Sequence, residues 1–192
     1  MCSWMRALTL AAIVIGVMTA GFAAHTVVFP KSSELGSPDG RFLIRSADRE
    51  APTTDFVGTF HSLWIIEVAT GRSRKLCDYV GVAAVRWSGS EHVVVTEYVA
   101  KKSSRLLLFS ALTSEEPLIL DKAALISLVP AESRDILREN DHVFVEGLAV
   151  EHDTLTLIVW GSGQHDKQGF RWHCEYDLRE RSIRCAEERM AH

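Results

Sequence analysis

The chain has 192 residues, a formal net charge of −4 at pH 7 and 24% charged side chains, with acids and bases interspersed. This balance excludes the basic face that nucleic-acid-binding proteins usually present, and we expect no nucleic-acid partner. Hydrophobic residues make up 47% of the chain, which is enough for one domain with a substantial core.

The first predicted element is an apolar N-terminal segment in which Arg6 is the only charge. One basic residue, an apolar run and then small residues are typical of a secretory signal, which we predict over residues 1–24. Gly21-Phe22-Ala23 is the best cleavage site. The alternative is an uncleaved membrane anchor over residues 7–29, because that run approaches the roughly 20 residues that span a bilayer. Both interpretations export the rest of the chain, to the periplasm or the exterior, and limit membrane contact to this segment.

Residues 25–188 are predicted to form one β-rich domain, because a pattern of strands and turns occurs three times along them. In each copy a short polar turn is followed by an apolar strand, a gap, a second apolar strand and a tight reversal. The turns begin at Ser37, Ser88 and Glu151. Self-similarity of this kind indicates a repeat architecture.

The first copy follows the turn Ser37-Pro38-Asp39-Gly40, in which proline presets φ and glycine accepts a positive φ. Its strands are predicted over residues 41–45, 62–68 and 74–77. We expect residues 27–29 to supply its outermost strand.

The second copy is the clearest of the three. Residues 82–87, 92–99, 105–111 and 117–120 are rich in β-branched and apolar residues, which predicts a four-stranded meander. Several of these strands are continuously apolar rather than alternating. That pattern indicates burial on both faces, as in sheets that stack face to face.

One helical segment interrupts the strands. Asp121 is a good N-cap, and Pro130 suits the first turn of a second helix. We predict one or two short helices over residues 121–140, with apolar residues that cover a sheet edge. A groove that binds a partner is the alternative.

The third copy is predicted to contain strands over residues 143–150, 155–160, 170–178 and 183–185. The apolar and aromatic content of these segments favours strands, and the last two would form a hairpin that turns at Arg179 and Glu180.

Two cysteines flank that last hairpin turn. If Arg179 and Glu180 are the loop residues, the register places Cys174 opposite Cys185, at a spacing that suits a disulfide. Export makes oxidation plausible, and the alternative is two buried thiols. Cys77 is left over, and it is more typical of a small core residue than of a reactive thiol.

Four of these segments resemble the blade signatures of the TolB and WD40-like β-propeller group. They are Ser37-Pro38-Asp39-Gly40, residues 63–71, Trp87-Ser88-Gly89-Ser90 and Tyr176-Asp177-Leu178. The resemblance covers residues 30–187 and implies a propeller-type architecture, with almost no information on function.

Closed propellers have typically about four to eight blades, whereas this chain supplies three. An open stack of sheets, closure with a partner, and a smaller sandwich-like body are the alternatives. We therefore predict an all-β fold of antiparallel meander sheets that resemble three propeller blades, with one or two short inserted helices.

No motif predicts a catalytic residue, a metal site or a cofactor. The histidines lack the compact spacing of metal ligands. Gly161-Ser162-Gly163 fits neither a nucleophile elbow nor a phosphate loop. Sequence alone does not bring a serine, a histidine and an acid together.

We therefore expect an exported binding protein with a protein partner in the envelope or outside the cell, an inhibitor or immunity protein being a special case. The candidate contact residues are Phe56, Phe60 and His61, in a long connection over residues 47–61, because aromatic residues are enriched in interface cores. A second long connection covers residues 161–169. Packing of the first connection on its own sheet is an alternative.

The enzyme alternative is a small hydrolase with a dispersed site at the blade ends. It requires a nucleophile, a histidine and an acid within hydrogen-bond reach of one another.

Overall fold

The computed structural model describes residues 26–49, 59–99, 102–163 and 169–187. The predicted signal segment and Phe56 lie outside the described residues. Within those ranges, no helix is long and apolar enough to cross a membrane.

The described residues form an all-β fold with two short helices, as predicted. The helices are α1 (Lys122–Leu128) and α2 (Ala131–Glu139). In chain order the described strands are β1 (Val27–Phe29), β2 (Glu34–Gly36), β3 (Phe42–Arg49), β4 (Phe60–Glu67), β5 (Ser73–Val80), β6 (Val82–Ser88), β7 (His92–Val99), β8 (Ser103–Ser110), β9 (Leu118–Leu120), β10 (His142–Glu151), β11 (Thr154–Ser162), β12 (Phe170–Asp177) and β13 (Ser182–Glu187).

The first copy of the repeat is an antiparallel sheet in the order β2-β3-β4-β5, here called the first meander. The prediction that residues 27–29 supply its outermost strand is wrong. Residues 34–36 take that place, and β1 pairs with β6 instead, with Val27 opposite Val85 and Phe29 opposite Ala83. The physical reason is burial: Val27 and Phe29 lie in the core between two sheets, whereas β2 is a largely exposed edge strand.

The second and third copies also form four-stranded antiparallel meanders, as their sequences predict. The second meander is β6-β7-β8-β9 and the third is β10-β11-β12-β13. A parallel pairing of Ser103 with Val143 joins the two into one sheet.

A first core contains side chains of β1 and of the first and second meanders. It includes Phe29, Ile44, Leu63, Val85 and Val95, all fully buried. A second core contains side chains of the second and third meanders and of the helices.

The second core includes Val94, Leu106, Leu137 and Leu157. The second meander therefore contributes to both cores. Successive residues of β7 alternate between them, with Val93 and Val95 in the first and Val94 in the second. This confirms the predicted burial on both faces.

The two helices connect β9 to β10 and pack on their own domain. Asp121 caps α1 as predicted, because its Oδ1 accepts a hydrogen bond of 2.8 Å from the N–H of Ala124. Leu125, Val129 and Leu137 are buried in the second core. The apolar face of the helices is therefore used within the domain.

Candidate functional site

The structure places Phe60 and His61 in a strand, not in the long connection that the sequence suggests. Strand β3 continues through Arg49, and Asp48 is paired with His61 across β3 and β4. Phe60 is half-buried. The side chain of His61 is 4% exposed, and its ring stacks on Tyr79 with 5.0 Å between the ring centroids.

His61 thus contacts its own sheet in the described arrangement. Phe60 and His61 stay predictions as contact residues for a partner, together with Phe56. In the second connection, Gly161 and Ser162 belong to β11, and residues 164–168 lie outside the described ranges.

An acid and a histidine do meet at this end of the first meander. Nδ1 of His61 lies 2.9 Å from Oδ1 of Asp48, the arrangement by which an acid orients a catalytic histidine. Among the described residues, however, His61 bonds to no hydroxyl or thiol. The hydroxyl of the nearby Ser46 bonds to that of Tyr79 at 2.7 Å.

A cavity of about 240 Å³ lies at the opposite end of the first meander, against the second meander. We call it the arginine cleft. Its lining includes Arg41, Arg72 and Arg74, with Glu67 and the apolar residues Phe42, Ile65 and Leu112.

Two tight turns position Arg41 and Arg72, and strand β5 positions Arg74. In the turn before β3, Ser37 donates to Asp39 at 2.7 Å, and its Oγ accepts the N–H of Phe42 at 2.9 Å. Gly40 lies at φ +71° and Gly71, in the turn before β5, at φ +69°, a conformation that glycine adopts without steric cost.

The two turns are joined to each other, because the N–H of Val68 donates to the carbonyl of Arg41 at 2.9 Å. Arg41 follows the first turn directly, and Arg72 follows the second. The guanidinium of Arg41 lies 5.2 Å from the ring centroid of Phe42, a favourable cation–π contact.

One arginine of the cleft has its charge matched by a carboxylate. Nη2 and Nε of Arg72 donate to Oε2 of Glu67 at 2.8 and 3.1 Å. The Thr70 hydroxyl donates to the same oxygen at 2.5 Å. The Thr70 hydrogen bond, followed by that of Arg72, lowers the pKa of Glu67, which therefore stays ionised at neutral pH.

Arg74 has no such partner. Its Nη2 donates to the backbone carbonyl of Ser110 in the second meander, and among the described residues its side chain makes no other hydrogen bond and no ion pair. Partial burial lowers the pKa of its guanidinium. The group still remains charged at neutral pH, because the ordinary pKa of arginine is so high.

Sequence reasoning missed the arginine cleft because its residues come from separate turns. Arg74 and Ser110 are 36 residues apart and meet only because the first two meanders stack. The available signal was the placement of Arg41 and Arg72 directly after polar turns.

Comparison of the chain with protein-family models, with curated proteins and with solved structures gave no match. Within the described ranges, no group of three His, Cys, Asp or Glu side chains is placed to hold a metal ion. The arginine cleft is the candidate site, because it combines the Arg74 guanidinium, which bonds to a backbone carbonyl rather than to a carboxylate, with the exposed Leu112 in its lining.

Proposed function

We propose that the chain is an exported binding protein that recognises another protein of the envelope or the extracellular space through the arginine cleft. The observation that carries this proposal is the pair of exposed aliphatic side chains at the cleft. Leu112 in its lining is 50% exposed, and Val68, bonded to Arg41, is 58% exposed.

Exposed apolar surface beside arginines has the composition of a protein interface. Arginine is enriched in interface cores relative to the rest of the surface, and its stem covers apolar surface while its head stays hydrated. Leu112 and Val68 would lose water on association, which is favourable.

The structure contains the predicted Cys174–Cys185 disulfide, and this bridge supports the export part of the proposal. Disulfides form and persist in oxidising compartments and are rare in the cytosol. The apolar N-terminal segment supports the same conclusion through its composition.

The three meanders support the proposed relationship to propeller-type proteins. Each copy of the repeat is a four-stranded antiparallel sheet, and side chains of successive copies share a core. Propeller blades are likewise four-stranded sheets arranged by repetition. This relationship concerns architecture and carries no function by itself.

A hydrolase is the second candidate, favoured by the Asp48–His61 pair alone. It would need a nucleophile within reach of His61, and among the described residues no hydroxyl or thiol bonds to that histidine. Turnover of a generic ester that is lost in a His61→Ala variant would favour this candidate over binding.

The binding proposal is tested by capture of the exported, tagged protein from its native envelope, with variants compared side by side. Leu112→Asp adds a charge at the cleft, and we expect it to abolish recovery of the partner. The matched control is Ile136→Asp on α2, an aliphatic residue that is 39% exposed.

Both substitutions lie on the surface, so unfolding is not expected, and near-UV circular dichroism checks this for each variant. We expect the α2 variant to recover the partner as the wild type does. Equal recovery by both variants, or equal loss in both, would contradict a role for the arginine cleft.

A further inference from the structure

The geometry points to a carboxylate-binding site in the arginine cleft, where Arg74, supported by Arg41, holds an acidic group of the partner protein. This inference rests on the proposed function, because it names the chemistry that the same cleft recognises.

The first argument is the balance of charge. Three guanidinium groups and one carboxylate line the cleft, and Glu67 is already bonded to Arg72. The nearest acid to Arg41 is Asp39, at 4.0 Å and outside the lining. The lining therefore has two positive charges in excess.

The second argument is the state of the Arg74 side chain. One nitrogen is anchored on the Ser110 carbonyl, and the described residues offer its remaining N–H groups no acceptor. A guanidinium presents five donors in a planar fork that matches the two oxygens of a carboxylate. The anchor holds the fork in place, so less side-chain entropy is lost when a ligand binds.

The third argument concerns which anion fits. Phe42, Ile65 and Leu112 give the cleft an apolar part, which suits the methylene stem of a glutamate better than a fully hydrated phosphate. The exposed Leu112 of the lining and the exposed Val68, which follows Glu67 of the lining in the chain, indicate that this carboxylate belongs to a protein chain rather than to a free small acid.

The test measures binding of probes to the purified chain by isothermal titration calorimetry, with the Arg Nε–H NMR signals as a second readout. The probes are a terminally blocked tetraglutamate peptide, the matching tetraglutamine peptide and inorganic phosphate. We expect saturable binding of tetraglutamate that shifts the Arg74 signal, and no binding of tetraglutamine.

Two variants locate the site, and a third variant serves as a control. Arg74→Gln should weaken tetraglutamate binding at least about tenfold, which is 1.4 kcal/mol, and Arg41→Gln about threefold. Arg45→Gln should bind as the wild type does. Arg45 is matched to Arg41 in exposure, at 55% and 56%, but pairs with Glu34 on β2, outside the cleft lining.

Unchanged affinity in either cleft variant, binding of tetraglutamine, or tighter binding of phosphate than of tetraglutamate would overturn the inference. Its failure is distinguishable from that of the proposed function. If the proposed function fails, partner capture is insensitive to Leu112→Asp while tetraglutamate still binds. If the inference alone fails, partner capture still depends on Leu112.

Discussion

The hydroxyl of Ser104 bonds to both backbone groups of Val145, donating to its carbonyl at 2.8 Å and accepting its N–H at 2.7 Å. Ser88 does the same for Val150, at 3.1 and 2.6 Å. In each case one serine of the second meander replaces the strand partner that β10 would otherwise need. Strand β10 is therefore fixed against the second meander by side chains.

Ser104→Ala is expected to lower the free energy of unfolding by about 1–3 kcal/mol, because it leaves buried backbone groups of Val145 without a partner. Urea denaturation measures this change. The control is Ser103→Ala, whose hydroxyl makes one exposed bond, to Val99, and which should change stability by less than about 0.5 kcal/mol. Equal costs for the two variants would contradict the assigned role.

Gly147→Ala is expected to destabilise the protein by about 1–3 kcal/mol, the usual cost of overpacking. A Cβ at Gly147 would lie 2.5 Å from Cγ1 of Val94 and 2.6 Å from Cδ1 of Leu106, and both side chains are buried. Gly36→Ala is the control, because a Cβ there meets nothing within 4 Å. Thermal unfolding followed by circular dichroism should separate the two variants. A Gly147→Ala protein as stable as the control would contradict the prediction, because it would show that Val94 and Leu106 can move to accommodate the added methyl group.

Replacement of Cys174 and Cys185 by serine is expected to cost roughly 2–3 kcal/mol, since the bridge closes a short loop with a sequence separation of 11. The two residues are directly opposed on β12 and β13. Denaturation of the wild type with and without reductant measures the same quantity. We expect the reduced wild type and the double variant to have the same free energy of unfolding. A wild-type denaturation midpoint that reductant does not change would contradict the prediction.

Cys77 is expected to resist alkylation in the folded protein at pH 9. Burial, followed by the charge of Glu97, raises the pKa of its thiol from 9.0 to about 12, so the reactive thiolate is scarce. In urea the same thiol should be about half ionised at pH 9 and should react fast. Mass spectrometry after iodoacetamide treatment gives both rates. Rapid labelling of the folded protein would refute the prediction.

The same pKa shift makes stability depend on pH. The folded state keeps its proton to higher pH than the unfolded state, so the stabilisation is fully present below about pH 9 and is lost as pH rises towards 12. In urea titrations over this window, Cys77→Ala should show a smaller decline than the wild type. Parallel declines in the two proteins would assign the pH dependence to other groups.

The sequence predicted where strands and helices lie better than it predicted which strands pair with each other. Turn residues such as Gly40 and the cap Asp121 act locally. The sequence therefore predicted the strands and helices that begin or end at these residues. Val27 and Phe29 were assigned to the wrong sheet, because the sequence of an apolar strand does not show which strand it pairs with. Their burial depends on contacts more than 50 residues away, between β1 and β6.

The disulfide was predictable because hairpin register follows from a short turn. The arginine cleft was not, because it depends on how two sheets stack. Asp48 and His61 were read as parts of a loop, because polar residues at these ends of β3 and β4 interrupt the apolar pattern that marks a strand. Only the structure shows that the His61 side chain is 4% exposed while that of Asp48 is 86% exposed.

Burial of β7 on both faces removes the usual safeguard against slipped strand pairing. A half-buried strand resists a one-residue shift because its apolar residues would turn to water, but Val93, Val94 and Val95 would stay in apolar surroundings. The same shift would turn Glu97 to the opposite face. The carboxylate of Glu97 is 5% exposed and accepts a bond from Arg105 at 2.5 Å. The Glu97–Arg105 pair near the end of β7 therefore opposes a one-residue slip that its three valines would tolerate.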